Sequence, residues 1–244
     1  MPKLEKLAAG DCIVAVMGLT GSGKTSFIAK ACSQDDIHIN TSLRSESPNI
    51  QTFTARHPKT NQRVVFVDTP GFDDTSSSDV ETLTQISSWF LDAHGSKASL
   101  SAILYLHPID RNRVSGPARR NLEMFAALCG KDAMPNIVLV TTMWDLVTAE
   151  EGEARVEELK EHFWNEMLDN GGITQRFDGT SESVWKILSD LPNDGTDLQI
   201  RKEMSRRRKA LHKTKAFWAL NDGMSQWLVD VRDIVIRKIV TSVD

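Results

Sequence analysis

Apolar residues along the 244-residue chain form two alternating patterns, short continuous runs and longer stretches at helical spacing. Residues 12–17 (CIVAVM), 63–67 (RVVFV), 100–106 (LSAILYL) and 137–142 (IVLVTT) are the runs, the mark of strands buried on both faces. Residues 50–55 (IQTFTA) predict a more exposed strand, and a short strand is expected near 173–177. Between the strands, residues 27–32 continue a helix, and Val80, Leu83, Ile86 and Phe90 share one helical stripe. Pro117 suits the first turn of a helix through Leu122, Phe125 and Leu128 that stops near Gly130. The acidic stretch 149–168 predicts one long exposed helix ended by Gly171 and Gly172, with a further helix from Ser181. Strands and helices alternating at these lengths predict an α/β fold, three layers built on a mostly parallel six-stranded sheet.

The cluster PNDG at 192–195 is the best boundary in the chain. A main domain is therefore expected over residues 11–191, and a helical extension over 196–244. In the extension, Met224, Trp227, Leu228, Val231, Val235 and Ile239 form a helical stripe that must pack on the main domain or on a partner.

Composition narrows the class. With 40% hydrophobic and 25% charged residues the chain has material for a core, which excludes global disorder. No apolar run approaches the ~20 residues of a membrane span. The N-terminal stretch MPKLEKLAAGDC lacks the apolar segment of a signal peptide. Cys12, Cys32 and Cys129 are an odd, scattered set suited to neither a disulfide framework nor a zinc site, so a cytoplasmic, reducing compartment is expected. Residues 201–215 hold eight Lys/Arg and one Glu; with −4 overall, the rest of the chain carries −11. So acidic a body excludes DNA or RNA as an expected partner. The basic run at 206–209 is favoured as a solvated helix face over a membrane-surface contact, a nuclear import signal or a partner site.

The string Gly18-Leu-Thr20-Gly21-Ser22-Gly23-Lys24-Thr25 matches G-x-x-x-x-G-K-S/T, after a buried strand and at the opening of a helix. Glycines let successive N–H groups turn inward, and with the helix N-terminus these form a nest for phosphates. Thr20, Gly21, Ser22, Gly23, Lys24, Thr25 and Ser26 are the candidate phosphate-binding residues. Lys24 is a mobile point charge for the outer phosphates, and Thr25 offers a hydroxyl to Mg2+. In the second string, VVFVDTPG at 64–71, a strand delivers Asp68 as a second metal-side ligand, and Gly71 allows its N–H to approach a terminal phosphate. Forty-four residues separate Lys24 from Asp68, room for one strand-bearing excursion. In the third, VTTMWD at 140–145, Asp145 follows the last long strand, where doubly wound folds place ligand-contacting groups. There it would accept from guanine N1–H and N2–H2, beside Thr142 and Met143; the competing role is a helix N-cap.

Together these strings resemble the G1, G3 and G4 motifs of P-loop GTPases of the Ras-like (TRAFAC) class. Within it the chain looks most like the septin-like (paraseptin) branch of AIG1/GIMAP-type and Toc GTPases. DTPGFDDT at 68–75, YLHPIDRNRVSG at 105–116 and TTMWD at 141–145 look like a group of AIG1-like fungal G-domain proteins. The resemblance covers about residues 11–190. It implies binding of GTP and GDP with Mg2+ and hydrolysis of GTP in a nucleotide-dependent switch, with segments around 44–48 and 72–79 ordering on triphosphate. It also implies a homodimer across the nucleotide face.

Three residues depart from the class pattern. Phe72 stands where Ras-like hydrolases carry the Gln that orients the attacking water, which implies slow intrinsic turnover or a substitute. The candidate substitute is Arg113, which resembles an arginine that the family inserts across a dimer, with a surface or ion-paired arginine as the alternative. The switch threonine aligns best with Ser47 as a metal ligand, Ser45 and Thr52 being other options. Met143 replaces the usual Lys and leaves relaxed base choice, including ATP, open. A nucleotide-gated scaffold with negligible turnover is a further alternative, and a nucleotide kinase ranks last. A poorer motif, Asp178-Gly179-Thr180, is the candidate second base loop. His107 reads as a satisfied structural histidine.

Overall fold

The continuous apolar runs form the centre of one six-stranded sheet, ordered β2-β3-β1-β4-β5-β6. Its strands are β1 (Cys12–Gly18), β2 (Gln51–Arg56), β3 (Arg63–Asp68), β4 (Leu100–Pro108), β5 (Ile137–Thr142) and β6 (Ile173–Arg176). All pairs are parallel except β2–β3, whose ladder runs antiparallel from Gln51 opposite Asp68 to Arg56 opposite Arg63. The computed structural model describes residues 10–32, 50–73, 78–93, 100–189, 195–206 and 210–221, without the side chains of residues 92, 93 and 206. Expectations for residues 44–48, the PNDG boundary before residue 195, the basic run at 206–209 and the stripe from Met224 to Ile239 lie outside the described residues or side chains.

Each central strand feeds both faces, which is why its sequence does not alternate. Along β1, Ile13, Ala15 and Met17 join one core cluster, while Val14 and Val16 join the other. The first cluster lies beneath α2 (Asp79–Ala93) and α3 (Gly116–Cys129), and the second beneath α1 (Lys24–Ala31) and α6 (Ser181–Ser189). α3 starts as its sequence predicts: Ser115 accepts from the Ala118 N–H, Pro117 occupies the first turn, and Gly130 follows the end.

The register aligns the C-terminal ends of the strands. Val16 pairs with Asp68, Gly18 with Leu106, and Pro108 with Thr142. Gly18, Asp68 and Thr142 therefore emerge along one edge of the sheet, beside the strand where connections change direction.

One expectation is corrected. The stretch 149–168 is two helices, α4 (Ala149–His162) and α5 (Asn165–Asp169). Phe163 leaves the helical region (φ −124°), and the Trp164 N–H donates to Leu159 O, which turns the fully buried Trp164 ring onto His107. Burial of a large indole outweighs the helical propensity of a polar run. The described start of the extension is a series of short turns. It has one turn, α7 (Gln199–Arg201), a π-turn over Lys202–Arg206, a 3-10 turn over Leu211–Lys213, and α8 (Lys215–Leu220). Leu198, Ile200, Phe217 and Leu220 are buried in the same cluster as Phe125 and Leu128 of α3. Fully buried Glu203 holds this arrangement, accepting from Gln199 Nε2 (2.9 Å) and from the Lys215 N–H (3.0 Å) at the start of α8. Among the described residues no helix is long and apolar enough to cross a membrane.

Candidate functional site

Between β1 and α1 the chain curls through residues 18–25. Gly23, immediately before α1, is left-handed (φ +89°, ψ +18°), a conformation costly for any residue with a Cβ. Lys24 is buried, and its Nζ donates to Gly18 O (3.2 Å) and Leu19 O (3.0 Å), so the ammonium is folded over the loop. Gly21 and Ser26 are exposed, whereas Ser22 is fully buried.

Thr25 Oγ1 donates to Asp68 Oδ2 (2.9 Å), which joins the first two motifs. Burial raises the Asp68 pKa, and the Lys24 charge and the Thr25 hydroxyl partly offset that. Asp68 Oδ1 is buried with no partner among the described residues. A carboxylate with one satisfied and one orphaned oxygen, next to a hydroxyl, suits a hard divalent cation. Among the described residues no group of three or more His, Cys, Asp or Glu could hold a metal by itself. A cation at Thr25 and Asp68 would therefore complete its shell with phosphate and water oxygens.

Beyond Asp68 the chain stays zipped to the phosphate loop. Thr69 donates to Val16 O through its N–H (3.3 Å) and its hydroxyl (2.8 Å). The Phe72 N–H donates to Gly18 O (3.4 Å), and the Thr20 N–H to Phe72 O (2.9 Å). Gly71 has to be glycine: a Cβ there would lie 2.7 Å from Thr20 Cα. Phe72 is fully buried in the cluster of Leu19, Leu83 and Ile86. It is a core residue. The 72–79 segment is thus anchored at Phe72 and at Asp79, where α2 begins; residues 74–77 lie outside the described set.

The third motif is braced against the first. Thr142 is buried, and its Oγ1 donates to Ser22 O (2.9 Å), so this hydroxyl braces the phosphate loop. Met143 is left-handed (φ +61°), and its Cε packs on Gly23, 3.6 Å from where a Cβ would be. Trp144 donates from Nε1 to Thr141 Oγ1 (3.0 Å) and lies under the Arg176 guanidinium (3.8 Å to the ring centroid). Asp145 is exposed in the turn Trp144–Leu146. It caps no helix: the N-cap of α4 is Thr148, in a capping box with Glu151. Asp178 accepts from both the N–H and Oγ1 of Thr180, so its carboxylate is engaged within its own turn. The Arg176 contact to Trp144 has no signal in the sequence, since Arg176 lies far from the motif along the chain.

Arg113 is exposed and lines a cavity of about 540 Å3 with Leu19, His107, Asp110 and Arg111. His107 is buried edge-on to Trp164, and burial together with the Arg111 charge pushes its pKa down to about 4. It is a neutral structural residue. Thr52 sits in the β2 ladder opposite Val67, while Ser45 and Ser47 lie outside the described residues. A larger groove of about 590 Å3, between α3, α5 and the extension, is lined by none of the phosphate-loop residues.

Sheet order, flanking helices and phosphate loop define an α/β P-loop GTPase fold. Residues 13–143 match the family model described as 50S ribosome-binding GTPase, and the chain belongs to that family. The match ends two residues before Asp145. No curated protein matches the sequence. Among solved structures, Toc33 from Arabidopsis thaliana in complex with GDP and Mg2+ superposes at a TM-score of 0.57 with 15% identity, covering 83% of this chain and 87% of that one. A structure of the chloroplast translocon components atToc33 and psToc159 superposes at 0.59 with 15% identity over 83% and 86%. Aquifex aeolicus Era bound to GDP and AlF4− superposes at 0.51 with 16% identity over 79% and 63%.

Proposed function

We propose that the chain binds GTP with Mg2+ and hydrolyses it to GDP and phosphate, as a nucleotide-dependent switch of the septin-like branch. The observation that carries this reading is the Thr25–Asp68 hydrogen bond, with Lys24 and the Gly71 backbone on the same loop. The amides of residues 20–26 cradle the phosphates, and Lys24 exchanges its two loop carbonyls for the outer phosphates. Thr25 and Asp68 would hold the metal, with Ser47 as the further expected ligand; when bound, the ion would neutralise charge on the outer phosphates. The Gly71 N–H faces the terminal phosphoryl group. Water attacks the γ-phosphorus, the bond to the β–γ bridging oxygen breaks, and the water proton ends on the released phosphate. Asp145 reads guanine, with Met143 packing at the edge of the base. Toc33 and Era, bound to guanine nucleotides in their structures, support the assignment.

Dimerisation through Arg113 is part of the proposal. Arg113 is exposed and lines the same cavity as Leu19 of the phosphate loop, and dimerisation is stated to be important for the GTPase activity of atToc33 and psToc159. A second reading, base choice relaxed to include ATP, rests on Met143, which packs on Gly23 but offers no hydrogen bond. A third, a scaffold with negligible turnover, rests on the burial of Phe72.

Titration with fluorescent GTP, GDP and ATP, followed by phosphate release across protein concentrations, tests these readings. Lys24→Ala is expected to weaken GTP binding roughly 10- to 100-fold, the loss of a charge-assisted contact. Unchanged binding by that variant would mean the phosphates lie elsewhere. A rate per chain that rises with concentration supports the dimer, and a flat rate near background supports the scaffold.

A further inference from the structure

In this site the side chain that follows Gly71 is out of reach. Phe72 is fully buried in the core, and its N–H and C=O are both taken by the phosphate loop. One side-chain oxygen of the loop nevertheless lies directly against Gly71. Thr20 Oγ1 is buried, has no hydrogen-bond partner among the described residues, and lies so near Gly71 that a Cβ there would collide with it. The Lys24 ammonium is bonded to the carbonyl of the preceding residue, Leu19. Buried hydroxyls are ordinarily hydrogen-bonded, and an orphaned one marks a place where a ligand atom or a water belongs.

We infer that Thr20 supplies, within the same chain, the hydroxyl that contacts the terminal phosphoryl group and its attacking water, the place from which Phe72 has been withdrawn. This rests on the GTP-hydrolysis reading above and adds a residue to it. Thr20 forms no covalent bond; its O–H donates to a phosphoryl oxygen or water oxygen lying between Lys24 and Gly71. Because GDP lacks that phosphoryl group, the contact separates triphosphate from diphosphate. A residue that only shaped the loop would affect both alike.

The test compares Thr20→Val, which keeps the shape and removes the hydroxyl, with Thr20→Ser, which keeps the hydroxyl. Two quantities are read on the full chain: single-turnover hydrolysis at saturating GTP, and affinity for GMPPNP relative to GDP. Thr20→Val is expected to lose ~10-fold or more in both, with GDP affinity unchanged, and Thr20→Ser to stay within about threefold of wild type. Wild-type behaviour of Thr20→Val, or equal loss of GDP and GMPPNP binding, overturns the inference. If the wild-type chain turns nothing over, the hydrolysis reading falls by itself, and the GMPPNP-to-GDP ratio still decides the role of Thr20.

Discussion

Phe72→Gln reintroduces the residue that Ras-like hydrolases place after this glycine, and the structure predicts that it fails as a repair. The benzyl group is completely shielded and packs with Leu19, Leu83 and Ile86. Removing it forfeits ~2 kcal/mol of apolar burial, and glutamine then buries an amide without a partner at a further cost of ~1–3 kcal/mol. The sum, roughly 3–5 kcal/mol, is a large part of the ~5–15 kcal/mol that holds a typical domain folded. For a chain of this size it corresponds to a fall in Tm on the order of 10 °C. Thermal unfolding would show it, and single-turnover GTP hydrolysis measured below the lowered Tm should not rise above wild type. Phe72→Leu, which keeps an apolar group, should lose less than half as much stability. A Phe72→Gln variant that melts within ~2 °C of wild type and hydrolyses GTP tenfold faster would refute the reasoning.

Asp68→Asn should remove the Mg2+ dependence of nucleotide binding yet raise the stability of the unliganded protein. Because burial raises the folded pKa of Asp68, the fold favours its protonated form; the gain should be largest near neutral pH and vanish in acid, as melts across pH would show. His107 has the opposite sign, since its folded pKa is depressed. Stability present above about pH 6.5 should be lost as pH falls to about 4, by about 3 kcal/mol relative to His107→Leu, measured by denaturant titration at each pH. Gly152→Ala would place a Cβ 2.8 Å from Trp144 Cε3. Displacing that ring should weaken GTP binding about tenfold through Asp145 with the phosphate loop intact, and so reduce the preference for GTP over ATP in competition.

What could be read along the chain was local. Four parallel strands were legible because burial on both faces leaves uninterrupted apolar runs, and the phosphate loop because its chemistry needs particular residues in sequence. The helix-cap alternative for Asp145 could have been set aside from Thr148 and Glu151, a capping box three residues apart. The break between α4 and α5 was hidden because the polar run continues through it; Trp164 turns inward for a pocket that β4 supplies. Phe72 gave no sign of burial, since the cluster that takes its ring is assembled from β1 and α2. Glu203 registered only as one negative charge in a basic stretch, whereas in space it organises the start of the extension.

The hydrogen bond from Thr142 to Ser22 O and the packing of Met143 on Gly23 have a consequence for what the protein measures. They fasten the turn that carries Asp145 to the loop that carries Lys24 before any ligand arrives. The spacing between the two ends of the site is then a built dimension, like the jaws of a caliper locked at one setting. On the proposed reading a nucleotide would match that span with its sugar and first phosphates, and whatever changes with the last phosphate would happen on the side of Gly71.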